Sequence, residues 1–179
     1  MVTISSSFTP RVMRSRPATS ADAADIARIY NQGIEERIAT FETRARTASE
    51  IAATLRDKRT RFPTVVVEDA GRVLAWAAAS EYRPRECYAG IAEFSVYVDR
   101  DARGRGAGRR ATEALIAACE AAGFWKLVSR VFPENAASRA LLRRCGFREV
   151  GVYRRHAKLD GEWRDVVIVE RLVGEASRT

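Results

Sequence analysis

The chain has 179 residues, 46% of them hydrophobic, and a net charge of +8 carried almost entirely by arginine, because only Lys58, Lys126 and Lys158 are lysines. No apolar run approaches the length of a membrane span, so a membrane protein is excluded and one soluble domain with its own core is expected. Acidic residues are interspersed with the arginines and no block of like charge appears, which favours a solvated surface over a nucleic-acid-binding face.

The first part of the chain predicts a leader followed by two helices. Residues 1–13 contain serine and arginine but no continuous apolar stretch, so we expect a disordered leader. Apolar residues recur at helical spacing over 20–37 and predict an amphipathic helix. A second helix is predicted to begin at Thr47, where Glu50 three positions later completes a capping box.

The rest of the chain mixes strands and helices. β-branched runs at 64–69 and 72–82 flank a glycine turn at Gly71 and predict a hairpin. Further elements follow: a strand at 91–98, a helix from near Gly106 to just before Gly123, a strand at 126–132, a helix from Asn135 to Gly146, and a long hairpin of 148–159 and 162–172 across Asp160-Gly161. This order predicts an α/β (α+β) fold, with a mixed sheet and helices on both of its faces.

The cysteines and the histidine limit the redox and metal chemistry that the chain can support. Cys87, Cys119 and Cys145 are odd in number and lack C-x-x-C spacing, which indicates buried, reduced thiols of a cytoplasmic protein. His156 is the sole histidine, and we expect no metal site.

Residues 101–110, DARGRGAGRR, place three glycines and four arginines between a predicted strand and a predicted helix. The start of that helix offers free backbone N–H groups and the positive end of the helix dipole, an arrangement that binds anions. Glycine lets a phosphate approach the backbone closely, and guanidinium groups pair with phosphate oxygens in bidentate fashion. The turn therefore predicts a phosphate site in which Arg103, Arg105 and Arg109 add positive charge.

Residues 101–110 match two other known phosphate-binding motifs less well. A Walker-type loop requires a Gly-Lys pair that the turn lacks, which argues against a nucleoside triphosphate site. The dinucleotide-binding pattern is met in its alanine-ended form by Gly106, Gly108 and Ala111, but no acidic residue ends the next strand to hold a ribose. A surface turn with solvated arginines is the remaining alternative.

Two stretches, EFSVYVDRDARGRGAGRRATEALI and ENAASRALLRRCGFREVG, resemble the GNAT superfamily of N-acetyltransferases. The resemblance implies one acetyltransferase domain over 14–172, a flexible tail at 173–179, and a GNAT-like, mostly antiparallel twisted sheet flanked by helices on both faces. In that superfamily acetyl-CoA lies against a strand, an R/Q-x-x-G-x-G/A turn and a later Asn-x-x-Ser. The coenzyme-binding residues that this implies here are Val96, Tyr97, Val98, Arg103, Gly104, Arg105, Gly106, Ala107, Gly108, Arg109, Asn135 and Ser138.

A closer resemblance rests on YNQGIEERIATFET, YRPRECYAGIAEFSVYV and GVYRRHAKLDGEWRDVVIVERL. These segments are similar to the group of phosphinothricin, methionine sulfoximine and arsinothricin N-acetyltransferases. The resemblance implies an enzyme that uses acetyl-CoA to acetylate the α-amine of a small, anionic, glutamate-like amino acid, and thereby confers resistance to it. It also implies a homodimer formed through the C-terminal half of the sheet.

Glu93 is the candidate catalytic base. Acetyl transfer needs a neutral amine, and a carboxylate near the α-ammonium group can accept its proton directly or through a water molecule. Strand alternation puts Glu93 on one face with Ser95 and Tyr97, and the resembling family has its acid at this position; a solvent-facing charge is the alternative. Backbone N–H groups around Phe94 to Val96, freed by a bulge in the strand, are expected to polarise the thioester carbonyl.

Substrate contacts are predicted from the segment before this strand and from the first helices. Arg83 and Arg85 flank Pro84 in the segment that contacts substrate in the resembling group, and two guanidinium groups suit a substrate with two acidic groups. Asn31 and Phe41 are candidate pocket walls, although an aromatic residue between two helices is more often part of the core.

Leu142 occupies the position at which many GNAT members have a tyrosine that protonates the leaving thiolate. We therefore assign no general acid, and Tyr97, Tyr153 and solvent stay as alternatives. Three other functions also stay open: a protein or peptide N-acetyltransferase, a non-catalytic acetyl-CoA-binding protein, and a basic nucleic-acid-binding module. The last fits least, because no nucleic-acid motif or aromatic platform accompanies the arginines. The sequence thus predicts an acyltransferase without metal, nucleic-acid or membrane partner.

Overall fold

A seven-stranded sheet organises the structure, a computed structural model that describes residues 13–58 and 61–178. Its strands are β1 (Arg14–Pro17), β2 (Thr64–Asp69), β3 (Arg72–Glu81), β4 (Ile91–Val98), β5 (Lys126–Val131), β6 (Arg148–Leu159) and β7 (Glu162–Leu172). The helices are α1 (Ala23–Glu36), α2 (Ala48–Lys58), α3 (Ala107–Ala121) and α4 (Ala136–Arg144). Every predicted helix and strand is confirmed, with small shifts at the ends.

The strand order is β1-β2-β3-β4-β5-β7-β6, and every neighbouring pair is antiparallel except β4 and β5. This confirms the mixed, mostly antiparallel sheet. The parallel pair lies in the middle of the sheet, where α3 provides the long connection that two parallel strands require.

Helices cover both faces of the sheet because alternate residues of its strands are apolar on both sides. Along β3, Ala75 and Ala77 face a large core that includes Leu115 of α3. Trp76, between them, faces the opposite side and packs with Ile26 of α1. A strand buried on both faces carries apolar residues without alternation, as the run VLAWAAA of β3 does.

Local signals explain where the elements begin and turn. At the start of α2 the Thr47 amide donates to the Glu50 carboxylate at 2.8 Å and the Glu50 amide donates to Thr47 Oγ1 at 3.2 Å, so the predicted capping box is present. The β2–β3 turn places Gly71 at φ +80°, a left-handed conformation that glycine adopts without a Cβ penalty.

Two expectations about the ends and the cysteines need revision. Val173 is fully buried and its amide donates to the Trp125 carbonyl at 3.0 Å, so packed structure extends beyond residue 172 into the segment predicted as a tail. Cys119 and Cys145 are buried as expected, but Cys87 is exposed because it lies in the loop between β3 and β4. The leader predicted at 1–13 lies, apart from Met13, outside the described residues.

Among residues 13–58 and 61–178, no helix is long and apolar enough to span a bilayer. Over the same residues, no group of three or more His, Cys, Asp and Glu side chains is placed to hold a metal ion.

Candidate active site

A groove of about 690 Å³ opens between β4 and β5 and continues past the start of α3 to α4. The residues predicted to hold the coenzyme line this groove, except Arg105, whose guanidinium instead lies 3.8 Å from the Asp69 carboxylate. The structure therefore brings together segments that are separated by up to about forty residues in the sequence. Glu93 does not line the groove itself, but its neighbour Phe94 does.

The groove exists because β4 and β5 diverge. Their parallel pairing covers only three residue pairs and ends at Glu93 and Val128. Beyond that point the Phe94 carbonyl accepts a hydrogen bond from Ser129 Oγ at 2.8 Å, so this edge of β4 faces the gap. Alternation along the strand puts the backbone groups of Val96 on the same edge, where no β5 residue pairs with them.

The bulge expected in β4 is absent. The β3–β4 register runs without a shift from Ala75 opposite Val98 to Glu81 opposite Ala92. The backbone groups of β4 are thus freed by the divergence of its other neighbour, β5, which the sequence of β4 alone does not reveal.

The glycine-rich turn joins the end of β4 to α3 and leaves the start of that helix open to the groove. Gly106 caps α3 at φ +87°, and a Cβ built on it meets no atom within 4 Å, so the space beside it is open. A Cβ on Gly108 would lie 2.9 Å from Val98 Cγ2, and this glycine instead lets α3 pack closely on β4. Free N–H groups at the start of α3 point towards an open groove, which suits a diphosphate.

The arginines of the turn are held by carboxylates. Arg103 donates two hydrogen bonds to Glu36 of α1, at 3.0 and 2.8 Å, and Arg109 donates to Glu113 at 2.7 Å. These guanidinium groups are about half exposed or more, so the pairs contribute little stability and can exchange partners at low cost. Both remain available to an incoming polyanion.

Asp99 anchors the turn, and sequence reasoning missed it. It follows β4 directly, and its carboxylate is fully buried. It accepts hydrogen bonds from Arg28 of α1 at 2.7 Å, from Arg72 of β3 at 2.8 Å and from the Asp101 amide at 3.1 Å. Burial acts to raise the pKa of Asp99, but the two guanidinium groups outweigh it and hold that pKa well below its usual range.

Replacing Asp99 with asparagine is expected to lower the free energy of unfolding by about 2 kcal/mol at neutral pH, because two charge-assisted hydrogen bonds are lost. The folded-state pKa of Asp99 is depressed, so its contribution is present above the unfolded value of about 4 and is lost as the pH falls below it. Urea unfolding between neutral pH and about pH 2 should therefore show a shallower acid dependence in the variant than in the wild type. Asp101→Asn, which removes an exposed carboxylate beside the same Arg72, is the control and should behave like the wild type. Equal acid dependence in D99N and the wild type would contradict the assignment.

Asn135 and Ser138 lie where α4 begins. The Asn135 side-chain oxygen accepts from the Ser138 amide at 3.0 Å and so caps α4, while its Nδ2 donates to the Ile38 carbonyl at 3.0 Å. Asn135 thus ties the α1–α2 connection to α4 next to the groove. Leu142, two turns beyond Asn135, is buried in the core and offers no proton.

The Glu93 carboxylate lies on the α1 side of the sheet and contacts the Arg130 guanidinium of β5. The Glu93 side chain is 27% exposed and that of Arg130 is 37% exposed, so water reaches both groups. A carboxylate in this position can receive a proton from an amine at the end of the groove, provided that Arg130 releases or shares it.

The two tyrosines kept as alternative acids differ in their surroundings. Tyr97 lines the groove, and its ring stacks on Trp76 and meets Tyr30 edge-on, with centroids 4.9 and 4.8 Å away. Burial raises the pKa of Tyr97, so its hydroxyl keeps its proton at neutral pH. Tyr153 is 54% exposed on β6 and does not line the groove.

Arg83 and Arg85 lie in a different cavity of about 250 Å³ at the start of β4, lined also by Arg61, Ile91 and the acidic residues Glu81 and Glu86. The Arg83 guanidinium lies over the Tyr82 ring, and within 13–58 and 61–178 neither Arg83 nor Arg85 has a carboxylate partner. Ile91 is two positions from Glu93 on the same strand face, so this cavity opens near the candidate base rather than within the groove.

The side chains of Asn31 and Phe41 contact other residues of the protein and do not face an open cavity. Both polar atoms of the Asn31 side chain bind the Arg46 backbone, at 3.0 and 2.8 Å, and so fix the α1–α2 connection. The Phe41 ring packs edge-on against Phe132, which itself lines the groove, at a centroid distance of 4.9 Å. The predicted direct contact of Asn31 with substrate is therefore not favoured by its hydrogen bonding.

The chain is similar to known acetyltransferases in both sequence and structure. Residues 26–147 match the model of the Acetyltransferase (GNAT) family. The chain is 34% identical to phosphinothricin N-acetyltransferase of Alcaligenes faecalis, over 88% of the chain and 81% of the relative. It is 35% identical to an L-methionine sulfoximine/L-methionine sulfone acetyltransferase of Pseudomonas paraeruginosa, over 87% of the chain and 91% of the relative. The crystal structure of a phosphinothricin acetyltransferase from Sinorhizobium meliloti in complex with AcCoA superposes with a TM-score of 0.86 at 30% identity, over 93% and 91% of the two chains.

Proposed function

Because this chain belongs to the GNAT family of acetyltransferases, we propose that it transfers the acetyl group of acetyl-CoA to the α-amine of a small, anionic, glutamate-like amino acid. The observation that carries the proposal is the groove between β4 and β5, which leads from the free N–H groups of α3 to the neighbourhood of Glu93.

The groove fits acetyl-CoA in shape and chemistry. The open space beside Gly106 and the free amides that follow it suit the diphosphate, with Arg103 and Arg109 adding charge. The unpaired edge of β4 at Val96 offers backbone hydrogen bonds to the amides of the pantetheine arm. Acetyl-CoA supplies the acetyl group as a thioester when it is bound there.

The chemistry needs one proton acceptor and one polarising group. The amine, once neutral, attacks the carbonyl carbon; a carbon–nitrogen bond forms and the carbon–sulfur bond breaks. The nitrogen then releases its second proton, and the leaving sulfur takes up a proton through solvent, so that the charges balance. Glu93 accepts the proton of the amine, directly or through a water molecule. Backbone N–H groups of the open β4 edge polarise the carbonyl.

The similar proteins and the arginines support this substrate class. Phosphinothricin and methionine sulfoximine give their names to relatives of this chain, and arsinothricin shares their glutamate-like form. Arg83 and Arg85, with no carboxylate partner among the described residues, can hold a phosphinate or arsinate group bidentately. A role in resistance to such antimetabolites follows from acetylation of their amine.

A panel of substrates tests the proposal. Acetyl-CoA is mixed with the protein and with L-phosphinothricin, methionine sulfoximine, glutamate or a short peptide, and coenzyme A release is measured. Release with a glutamate-like amino acid but not with the peptide is the expected result. Release with the peptide alone would point to a protein acetyltransferase, and coenzyme binding without release to a non-catalytic protein.

We further propose that the protein is a homodimer. The edge strand β6 is exposed along most of its length and presents Val150, Val152 and Tyr153, each about half exposed. Such an edge pairs readily with a second copy of itself. Sedimentation that finds only monomers at micromolar concentration would reject the dimer.

We also propose that the protein acts in the cytoplasm without nucleic-acid or membrane partners. All three cysteines are free thiols, which fits a reducing compartment. Binding to duplex DNA that persists at physiological salt would contradict the absence of a nucleic-acid partner.

A further inference from the structure

Arg130 lies on β5 where the two central strands have just separated. The last parallel pair joins Glu93 to Val128, and alternation puts Arg130 on the same face as Val128, one step further into the gap. Arg130 lines the groove, and its guanidinium contacts the Glu93 carboxylate. Among the described residues, Arg130 is thus the one arginine that contacts the candidate base Glu93, and it also lines the groove.

The contact satisfies only a fraction of the hydrogen-bonding capacity of Arg130. One nitrogen, Nη1, donates to Glu93 Oε1, and over 13–58 and 61–178 no second carboxylate pairs with this guanidinium. By contrast, Arg164 pairs with Glu134 and Arg37 pairs with Asp160. The remaining donors of Arg130 are available for a ligand anion, since the side chain is 37% exposed.

The guanidinium group of Arg130 and the carboxylate of Glu93, which are in contact, match the two charges of an α-amino acid. The α-ammonium and the α-carboxylate are attached to one carbon, so they must be received by neighbouring groups of opposite charge. If the ammonium group faces Glu93, the carboxylate meets the neighbouring guanidinium, and each protein charge exchanges its partner for one on the substrate. This exchange leaves no charge unpaired and frees the Glu93 carboxylate for the amine.

We propose that Arg130 binds the α-carboxylate of the substrate and so makes the enzyme specific for α-amino acids over simple amines. The inference rests on the proposed function and assigns to Arg130 a task separate from that of Arg83 and Arg85, which would hold the acidic group of the side chain. On binding, the carboxylate draws Arg130 away from Glu93 and thereby couples recognition of the substrate to release of the base.

The test compares a free amino acid with its α-carboxamide, which keeps the amine but lacks the carboxylate. With L-phosphinothricin as the acid, Arg130→Gln should raise KM at least tenfold and lower kcat/KM by about 10- to 100-fold, while kcat/KM for the α-carboxamide changes less than about threefold. Arg130→Lys should recover part of the lost affinity. Calorimetric titration of the free acid into the protein without acetyl-CoA should show the same loss of binding.

Arg139→Gln is the matched control, because Arg139 has similar exposure and pairs with Glu149 outside the groove. Its constants for both compounds should equal those of the wild type. If R130Q lost kcat/KM equally for the acid and the carboxamide, or kept the wild-type preference for the acid, the role of Arg130 would be overturned. The proposed function would still stand. A wild-type protein that acetylates no amino acid would overturn both, and thermal unfolding of each variant shows whether it is folded.

Discussion

Replacement of Glu93 with glutamine is expected to lower kcat for amino-acid acetylation by about 10²- to 10⁴-fold, the usual contribution of a positioned proton acceptor. Glutamine keeps the size of the side chain but cannot accept the amine proton. Binding of acetyl-CoA should be nearly unchanged, because Glu93 lies beyond the residues that line the groove. Steady-state kinetics together with calorimetric titration of the coenzyme separate the two effects.

The pH dependence gives a second measurement on the same variant. The α-ammonium group of a free amino acid loses its proton to solvent only at a pH of about 8 or above, so raising the pH through that range should recover part of the activity of E93Q. Glu149→Gln removes another carboxylate of similar exposure that is paired with an arginine, and should leave kcat unaltered. A variant at position 93 with wild-type turnover would exclude Glu93 as the base.

Gly106→Ala should weaken the binding of acetyl-CoA by about 10- to 100-fold, as expected for the loss of one charge-assisted hydrogen bond at 1.5 to 3 kcal/mol. The new Cβ would project beside the start of α3, where a diphosphate needs close access to the backbone. Since Gly106 has φ +87°, alanine also costs about 1 to 2 kcal/mol of folding free energy. Calorimetry with coenzyme A measures the first effect and urea unfolding the second.

Gly71→Ala separates backbone strain from access to the coenzyme. Gly71 has φ +80° and, like Gly106, open space around its Cβ position, but it lies in the β2–β3 turn outside the groove. It should lose a similar amount of stability and keep full affinity. Matching affinities in the two variants would show that the turn at Gly106 does not hold the diphosphate.

Local sequence signals were sufficient to predict the helices, the strands and the glycine-rich turn. The capping box at Thr47 and the glycines at 71 and 106 act through residues a few positions away, so a single sequence carries their meaning. Asp99 could not be found in this way. Its partners Arg28 and Arg72 are 71 and 27 positions distant, and only the packing of α1 and β3 on the end of β4 brings them together.

The pairing of Glu93 with Arg130 was hidden for a related reason. Period-two alternation predicts which face each residue occupies, but the register between two parallel strands depends on how α3 packs. The same limit explains the bulge that was expected in β4: free backbone groups could be anticipated, whereas their cause, the divergence of β5 from β4, is a property of the assembled fold.

Exposure of Cys87 has a practical consequence for anyone who follows the reaction with a thiol-reactive dye. Burial raises the pKa of Cys119 to about 12 and that of Cys145 above its ordinary value, so both resist labelling in the folded protein. A blank measured with folded protein should then show one equivalent of reactive thiol, from Cys87. Any further increase in dye absorbance comes from the thiol of coenzyme A. The same sulfur offers an attachment point for a fluorophore in the loop that carries Arg83 and Arg85, so one label can report on the arrival of a substrate without any engineered cysteine.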